Sequence, residues 1–178
     1  MVDELRLGQP LEELGTLLQA GSAPATPEDW QTRYLLLWRL WRSKLIEKNA
    51  VWEHIVATTR CPDGSIWWHM EAAAAMAGAL PRPAHFIFQI GPCQKFIAEA
   101  RRTVDSWMGS YIVSYLSWQA MSELVEQLGP DCIMYPMLYG QPVVDHLYLR
   151  GRGVAPEESA GSLTSPTIPN RFVAIVPA

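Results

Sequence analysis

The chain has 178 residues, of which 49% are hydrophobic and 18% charged, and its net charge is −4. This length suits one medium domain, or one small domain with part of another. Sparse charge and eight tryptophans exclude a disordered chain and indicate much surface to bury. The negative balance argues against a general binder of polyanions and leaves a local basic groove open.

The cysteines and the hydropathy pattern predict a cytoplasmic protein that does not cross a membrane. The cysteine count is odd and contains no CxxC pair, which argues against a disulfide framework or a zinc knuckle. The acidic beginning of the chain lacks the pattern of a signal peptide. No run approaches the roughly 18 apolar residues of a membrane span.

The first 80 residues predict a helical region. Leucines 11, 14, 17 and 18 indicate a short amphipathic segment, and Thr26-Pro27 starts a helix that continues over residues 30–48. The apolar stripe of this helix consists of Tyr34, Leu37, Trp38, Trp41 and Leu45. Its basic residues, Arg33, Arg39, Arg42 and Lys44, are expected on a solvated face. A nucleic-acid contact is the alternative for these residues.

An alanine-rich helix completes this region. Residues 62–64 predict a turn, and Asp63 or Ser65 is expected to cap a helix that starts near Ile66. Gly78 and the prolines of residues 81–83 end it. We place a domain boundary there, with a helical region over residues 1–80 and a second domain over residues 84–178.

The second domain alternates strands and helices. Residues 86–90 predict a strand buried on both faces, and Gly91-Pro92 forms a corner that leads into a helix with Pro92 as its first residue. Helices are expected over residues 92–102 and 104–128, with a bend at Gly109, strands over 132–135 and 172–176, and a loop over 150–170. This order is the βαββ part of a ferredoxin-like layer, so we predict an α+β fold and expect a fragment of a longer protein.

Four segments resemble the large subunit of type III CRISPR effector complexes, most closely its III-B branch. They are GPCQKFIAEARRTVDSWMGSYIVSYLSWQAM, TTRCPDGSIWWH, YGQPVVD and IPNRFVAIVP. The first is similar to the motif of the first palm domain of that subunit. The resemblance implies a cytoplasmic antiviral subunit with a nuclease domain and two ferredoxin-like palms, assembled with other effector subunits and, indirectly, with guide RNA and target RNA. It also implies that the paired palms bind ATP with magnesium and make cyclic oligoadenylates.

Two hallmarks of the family are missing here, since the chain has neither a His-Asp dipeptide nor Gly-Gly-Asp-Asp. We therefore expect no catalytic residue and no tightly bound metal, and predict nucleotide binding without catalysis. The backbone amides after the corner would face phosphates, as they do at helix N-termini. The candidate residues are Gly91, Pro92, Cys93, Gln94, Lys95, Arg101 and Ser110. Gln94 is also expected to fold back over the turn, and Asn170 and Arg171 either reach the same groove or form a turn contact.

Two other functions stay open at this point. In the first, the chain is a scaffold whose surface tryptophans dock a neighbouring subunit: Trp38, Trp41, Trp67, Trp68, Trp107 and Trp118. The second is a metal phosphohydrolase, which the histidines disfavour because they are at least fifteen residues apart. His69 resembles a position at the junction of nuclease and palm, where a structural hydrogen bond is the expected role.

Overall fold

The computed structural model describes residues 26–58, 60–154 and 163–178. The amphipathic segment predicted around residues 11–18, and part of the loop predicted over 150–170, therefore lie outside the described residues. In the described ranges no helix combines the length and the hydropathy needed to span a bilayer. Helices and antiparallel strands are mixed along the chain, which agrees with the α+β class.

The N-terminal elements are two helices, a hairpin and the alanine-rich helix. They are α1 (Pro27–Lys48), α2 (Val51–His54), β1 (Val56–Thr58), β2 (Cys61–Ser65) and α3 (Ile66–Gly78). The Ser65 side chain accepts a hydrogen bond from the amide of Trp68 and caps α3, as predicted. The turn predicted at residues 62–64 is wrong, because these residues belong to β2, which pairs with β1.

The C-terminal elements begin after the proline pair. They are β3 (Pro83–Gln89), α4 (Cys93–Ala98), α5 (Thr103–Leu128), a 3-10 turn (Pro130–Cys132), β4 (Ile133–Tyr135), a π-helical turn (Val144–Leu149), a second 3-10 turn (Arg150–Arg152) and β5 (Arg171–Pro177). The predicted helices and strands of this half are all present, with ends shifted by a few residues. The helical turns between β4 and β5 were not predicted.

The three strands of this half form one antiparallel sheet in the order β3-β5-β4. Ala174 at the centre of β5 faces Phe86 on one side and Ile133 on the other. β5 lies between β3 and β4, and the chain connects those two strands through α4 and α5. The antiparallel register pairs Gln89 with Arg171 and thus brings the beginning of β5 next to the Gly91-Pro92 corner.

The expectation that β3 is buried on both faces is wrong. Ile87 is 65% exposed and Phe86 is 41% exposed. β3 lies at an edge of the sheet, and the described residues leave Ile87 uncovered, whereas Ile133 on the other edge strand is buried. Phe88 is the better covered residue, because its ring stacks on Phe172 with 5.1 Å between centroids.

One hydrophobic core joins α1, α5, the sheet and the π-helical turn. Leu35, Met121, Leu149 and Phe172 are among its most deeply buried side chains. This core combines residues from both sides of the predicted domain boundary. The division at residues 80–84 stays a prediction.

Arg39 is not on a solvated face, as the sequence had suggested. It is 6% exposed, and its guanidinium binds the carboxylate of Asp145 through Nε at 2.8 Å and Nη2 at 2.9 Å. The guanidinium also lies 4.7 Å from the ring centroid of Tyr139. Periodicity alone cannot show this, because the compensating charge comes from a residue 106 positions away.

Candidate functional site

The Gly91-Pro92 corner is held in place from the side of β5. The side-chain amide of Asn170 donates to the carbonyl of Ile90 at 2.9 Å, and the Ile90 amide donates to the Asn170 carbonyl at 2.8 Å. The thiol of Cys93 donates to the same Ile90 carbonyl at 3.1 Å. Asn170 therefore makes a turn contact, which was one of the two predicted outcomes.

The first turn of α4 leaves backbone donors open. The helix begins at Cys93, one residue later than predicted, with Pro92 at the N-cap position. Phe96 is the first amide bonded back into the turn, at 3.3 Å from the Pro92 carbonyl. Within the described part of the chain, the amides of residues 93–95 have no acceptor, as expected for a helix start. No hydrogen bond from the Gln94 side chain closes the turn within the same part.

Four of the predicted site residues line two neighbouring grooves. Gly91, Pro92 and Cys93 line a groove of about 230 Å³, whose other walls are apolar. Arg101 lines a second groove, of about 420 Å³, together with Glu99 and Asp105. The two grooves share the following side chains: Phe96 and Ile112.

Three predicted residues line neither groove. Gln94 and Lys95 are exposed beside the corner. The hydroxyl of Ser110 donates to the carbonyl of Ser106, one helical turn earlier, at 3.1 Å. Helix α5 continues through Gly109 and lies against α4 there, since a Cβ at Gly109 would be 3.4 Å from the Phe96 ring, an ordinary contact distance.

Metal ligands are not assembled here. Among the described residues no three His, Cys, Asp or Glu side chains lie close enough together to hold an ion. His69 and His54 are exposed. The described residues thus do not fit the magnesium that the resemblance implies for the complete protein.

Sequence reasoning missed a cavity between α1 and α3. Its volume is about 160 Å³, and it lies far from the predicted corner in sequence. It is lined by Tyr34, Leu37, Trp38, Trp41, Arg42, Trp67, Met70, Glu71, Ala74, Asp131 and Tyr139. The density of tryptophan in α1 is the signal in the sequence, but tryptophan content alone predicts an apolar stripe or a docking surface and not a cavity.

In this cavity a guanidinium lies over aromatic rings, and the carboxyl groups have raised pKa values. The Arg42 guanidinium lies 4.5 Å from the ring centroid of Tyr139 and 5.4 Å from that of Trp67. Burial raises the pKa of Glu71 to about 7, although the charge of Arg42 lowers it in part. Burial also raises the pKa of Asp131, against the hydrogen bond that it accepts from the Tyr34 hydroxyl.

We predict that Glu71→Gln stabilises the protein at pH 8 and has little effect at pH 4. The folded-state pKa of Glu71 lies above the ordinary glutamate value of 4.5, so the folded state holds the proton more tightly. Wild-type stability therefore falls as the pH rises from about 4.5 to 7, and stays lower above that range. The expected gain at pH 8 is on the order of 1 to 2 kcal/mol, reduced by the solvent that reaches Glu71.

Urea denaturation at the two pH values measures this gain. Glu99→Gln, at an exposed position, is the matched control. A Glu71→Gln variant that is less stable than wild type at pH 8 would contradict the prediction.

Two solved structures of type III-B Cmr-beta resemble this chain along nearly its whole length. The structure bound to cognate target RNA matches with a TM-score of 0.71 and 25% identity over 97% of the chain. The structure of the apo state matches with a TM-score of 0.65 and 22% identity over 96%. In both cases the match covers 19% of the solved chain.

Sequence relatives also point to type III-B CRISPR effectors. The CRISPR system Cmr subunit Cmr2 of Pyrococcus furiosus is 33% identical over 123 residues, which are 69% of this chain and 13% of the relative. The corresponding subunit of Saccharolobus solfataricus is 35% identical over 102 residues, which are 53% of this chain and 10% of the relative. The family model "CRISPR-associated protein Cmr2, N-terminal" matches residues 86–178. The chain belongs to this family and spans a small part of the length of these relatives.

Proposed function

We propose that this chain forms the first palm layer in the large subunit of a type III-B CRISPR effector, where it supplies one wall of an ATP site. Family membership supports the assignment to the subunit. The observation that carries the nucleotide role is the open Gly91-Pro92 corner, which borders a large exposed apolar surface. We infer that a further domain of the complete subunit covers this surface and completes the site.

The strand order supports a ferredoxin-like layer. In that fold the third strand lies between the first and the second, and the fourth strand pairs with the free edge of the first. β3, β4 and β5 have the order expected of the first three strands. The free edge of β3, where Ile87 is exposed, is the place where a fourth strand would add.

The apolar surface beside the corner supports a covering partner. Helices α4 and α5 expose several large apolar side chains: Phe96, Val104, Trp107, Met108, Ile112 and Leu116. A contiguous surface of this kind marks an interaction site in soluble proteins. We assign it to contact with a further domain of the effector, in a complex that also holds other subunits and, indirectly, guide and target RNA.

The chemistry that this chain offers to ATP is binding. The open amides of residues 93–95 are donors for a phosphate, and Lys95 and Arg101 are exposed cations nearby in sequence. Magnesium would have to be held by carboxylates outside the described residues, since these provide no cluster. The chain is therefore proposed to bind the nucleotide and not to catalyse its conversion.

The nucleotide role predicts a loss of ATP affinity when the polar groups beside the corner are removed. In the assembled effector, Gln94→Ala with Arg101→Ala should weaken ATP binding about tenfold or more, because a hydrogen bond to a charged group contributes about 1.5 to 3 kcal/mol. Isothermal titration with ATP and Mg²⁺ measures the affinity, and oligoadenylate output measures the consequence. The matched control is Gln119→Ala with Arg82→Ala, which removes the same side chains from exposed positions.

A docking scaffold is the second candidate, favoured by the same exposed face. Of the tryptophans assigned to docking, Trp67 and Trp118 are buried, while Trp68 and Trp107 are exposed. Docking therefore has to use α5 and the outer side of α3. Unchanged ATP affinity in the double variant, with the other subunits still retained in a pull-down, would establish the scaffold and refute nucleotide binding at the corner.

A further inference from the structure

One carboxyl group in the cavity between α1 and α3 has no partner. Glu71 lines this cavity, and within the described part of the chain its carboxylate has neither an ion pair nor a hydrogen bond. Asp131 lines the same cavity and accepts a hydrogen bond from the Tyr34 hydroxyl, but no cation pairs with it among the described residues. A carboxylate that is partly removed from water is stabilised by a nearby positive charge. Both carboxyl groups therefore lack a counter-ion in direct contact.

The guanidinium of Arg42 lines the cavity without pairing with either carboxyl group. It lies over the rings of Tyr139 and Trp67, at 4.5 Å and 5.4 Å from their centroids. Its Nη1 donates to the sulfur of Met137 at 3.7 Å. The described lining residues thus include two carboxyl groups and one guanidinium, which leaves one negative charge uncompensated when both acids are ionised.

Carbon forms most of the remaining wall. The indole N–H groups of Trp38 and Trp41 have almost no accessible surface, so these side chains present carbon to the cavity, as do Leu37 and Ala74. Such a wall favours the alkyl part of a ligand, and aromatic rings attract a cation that lies over their faces. The cavity volume of about 160 Å³ is close to the roughly 150 Å³ that holds one benzene molecule. Ala74 is exposed, so the cavity opens to solvent at α3.

Other classes of ligand fit this lining less well. An anion would face Glu71 and Asp131. A metal ion would find no set of three ligands, since the described His, Cys, Asp and Glu side chains form no such cluster. A neutral ring would fill the apolar space and leave Glu71 without a partner. A small organic cation fills the space and also supplies the missing charge.

We propose that this cavity binds an alkylammonium group, with the cation beside Glu71 and the alkyl part against the tryptophans. The group can belong to a free amine or to a lysine side chain of another subunit, because both present the same chemistry. The cavity shares no lining residue with the grooves beside Gly91 and Arg101. Binding here is therefore independent of the nucleotide site proposed above.

Binding should strengthen about tenfold as the pH rises from 6 to 8. Burial raises the pKa of Glu71 to about 7, while an alkylammonium keeps its charge up to about pH 10. Since a cation stabilises the ionised form of Glu71, its affinity follows that ionisation. The other titratable or charged groups that line the cavity are Tyr34 and Arg42 from α1, Asp131 and Tyr139. Burial also raises the pKa of Asp131, so ionisation of Asp131 acts in the same direction.

Isothermal titration of the full chain with choline and with n-butylammonium at pH 6 and pH 8 tests the proposal. At pH 8 choline should bind about tenfold more tightly than dimethylbutanol, the neutral isostere in which carbon replaces nitrogen. Glu71→Gln removes the charge at nearly constant volume, so it should weaken choline binding about tenfold at pH 8 and abolish its pH dependence. Glu99→Gln, at an exposed position outside the cavity, is the matched control.

Filling the cavity gives a second, independent test. Ala74→Leu should abolish binding, whereas Ala73→Leu, at an exposed neighbour that does not line the cavity, should preserve it. A blocked tripeptide with a central lysine identifies a lysine side chain as the source if it binds as tightly as n-butylammonium, and a free amine if it binds more weakly.

Three results overturn the proposal: dimethylbutanol binds as tightly as choline, Glu71→Gln binds choline as the wild type does, or neither cation binds at millimolar concentration. Circular dichroism of each variant confirms that it is folded.

Discussion

Asp145→Ala should lower the free energy of unfolding by roughly 3 to 5 kcal/mol. The carboxylate makes two hydrogen bonds to the Arg39 guanidinium, at 2.8 Å and 2.9 Å, and both side chains are almost fully buried. Removing the carboxylate leaves a guanidinium that stays charged and buried without a counter-ion. Urea denaturation followed by circular dichroism measures the loss.

Two comparisons isolate the cause. Arg39→Leu combined with Asp145→Leu removes both charges and should recover most of the lost stability, because an apolar pair of similar volume replaces a buried ion pair at little cost. Lys44→Ala breaks an exposed ion pair with Glu47 and should cost well under 1 kcal/mol. If the double variant is as unstable as Asp145→Ala, then packing and not the unpaired charge causes the loss of stability.

Phe172→Ala should be comparably destabilising, by about 3 to 5 kcal/mol. Phe172 is 1% exposed on the central strand β5, and its ring contacts those of Phe88 and Phe86, at 5.1 Å and 5.9 Å between centroids. The substitution removes a ring from the layer between the sheet and its helices, where the surrounding backbone is fixed by strand pairing. Thermal and urea denaturation both report this loss.

Phe86→Ala is the matched control on the edge strand. Phe86 is 41% exposed, so its truncation removes less buried area and leaves a site open to water. We expect less than half the effect of Phe172→Ala. Equal effects would mean that the edge strand is as well covered as the centre of the sheet.

The elements that the sequence predicted well are those with a local cause. Ser65 caps α3 because the serine and the helix are adjacent in the chain. The apolar periodicity of residues 104–128 gave α5, and Gly129 ends it with φ at +94°. The Gly91-Pro92 corner was found for the same reason, since glycine and proline act on their own backbone.

The features that were missed depend on distant partners. Arg39 is buried because it forms an ion pair with Asp145, and no residue near Arg39 in the sequence predicts that contact. β3 is exposed because the described residues leave Ile87 uncovered, which depends on the packing of distant elements and not on the residues of the strand. The β1–β2 hairpin was not predicted, because Pro62 and Gly64 are typical of turns but here belong to a strand.

The candidate sites differ in the same way. The corner could be proposed from residues 91–95 alone, and its binding role stays a prediction that the double variant tests. The aromatic cavity exists only because α1 lies against α3 and brings Trp41, Glu71 and Tyr139 together. Tryptophan content predicted apolar surface there, but the unpaired indole N–H groups are visible only once packing is known.

The buried contact between Arg39 and Asp145 also limits how this lineage is able to diverge. A mutation at either position alone leaves a buried charge without its counter-ion. Selection should therefore favour sequences that keep both residues or replace both. Paralogues that carry an aliphatic residue in place of the arginine are expected to lack the acid as well. The terminal aspartate of YGQPVVD would then be preserved as a counter-ion for α1 and not as a participant in chemistry.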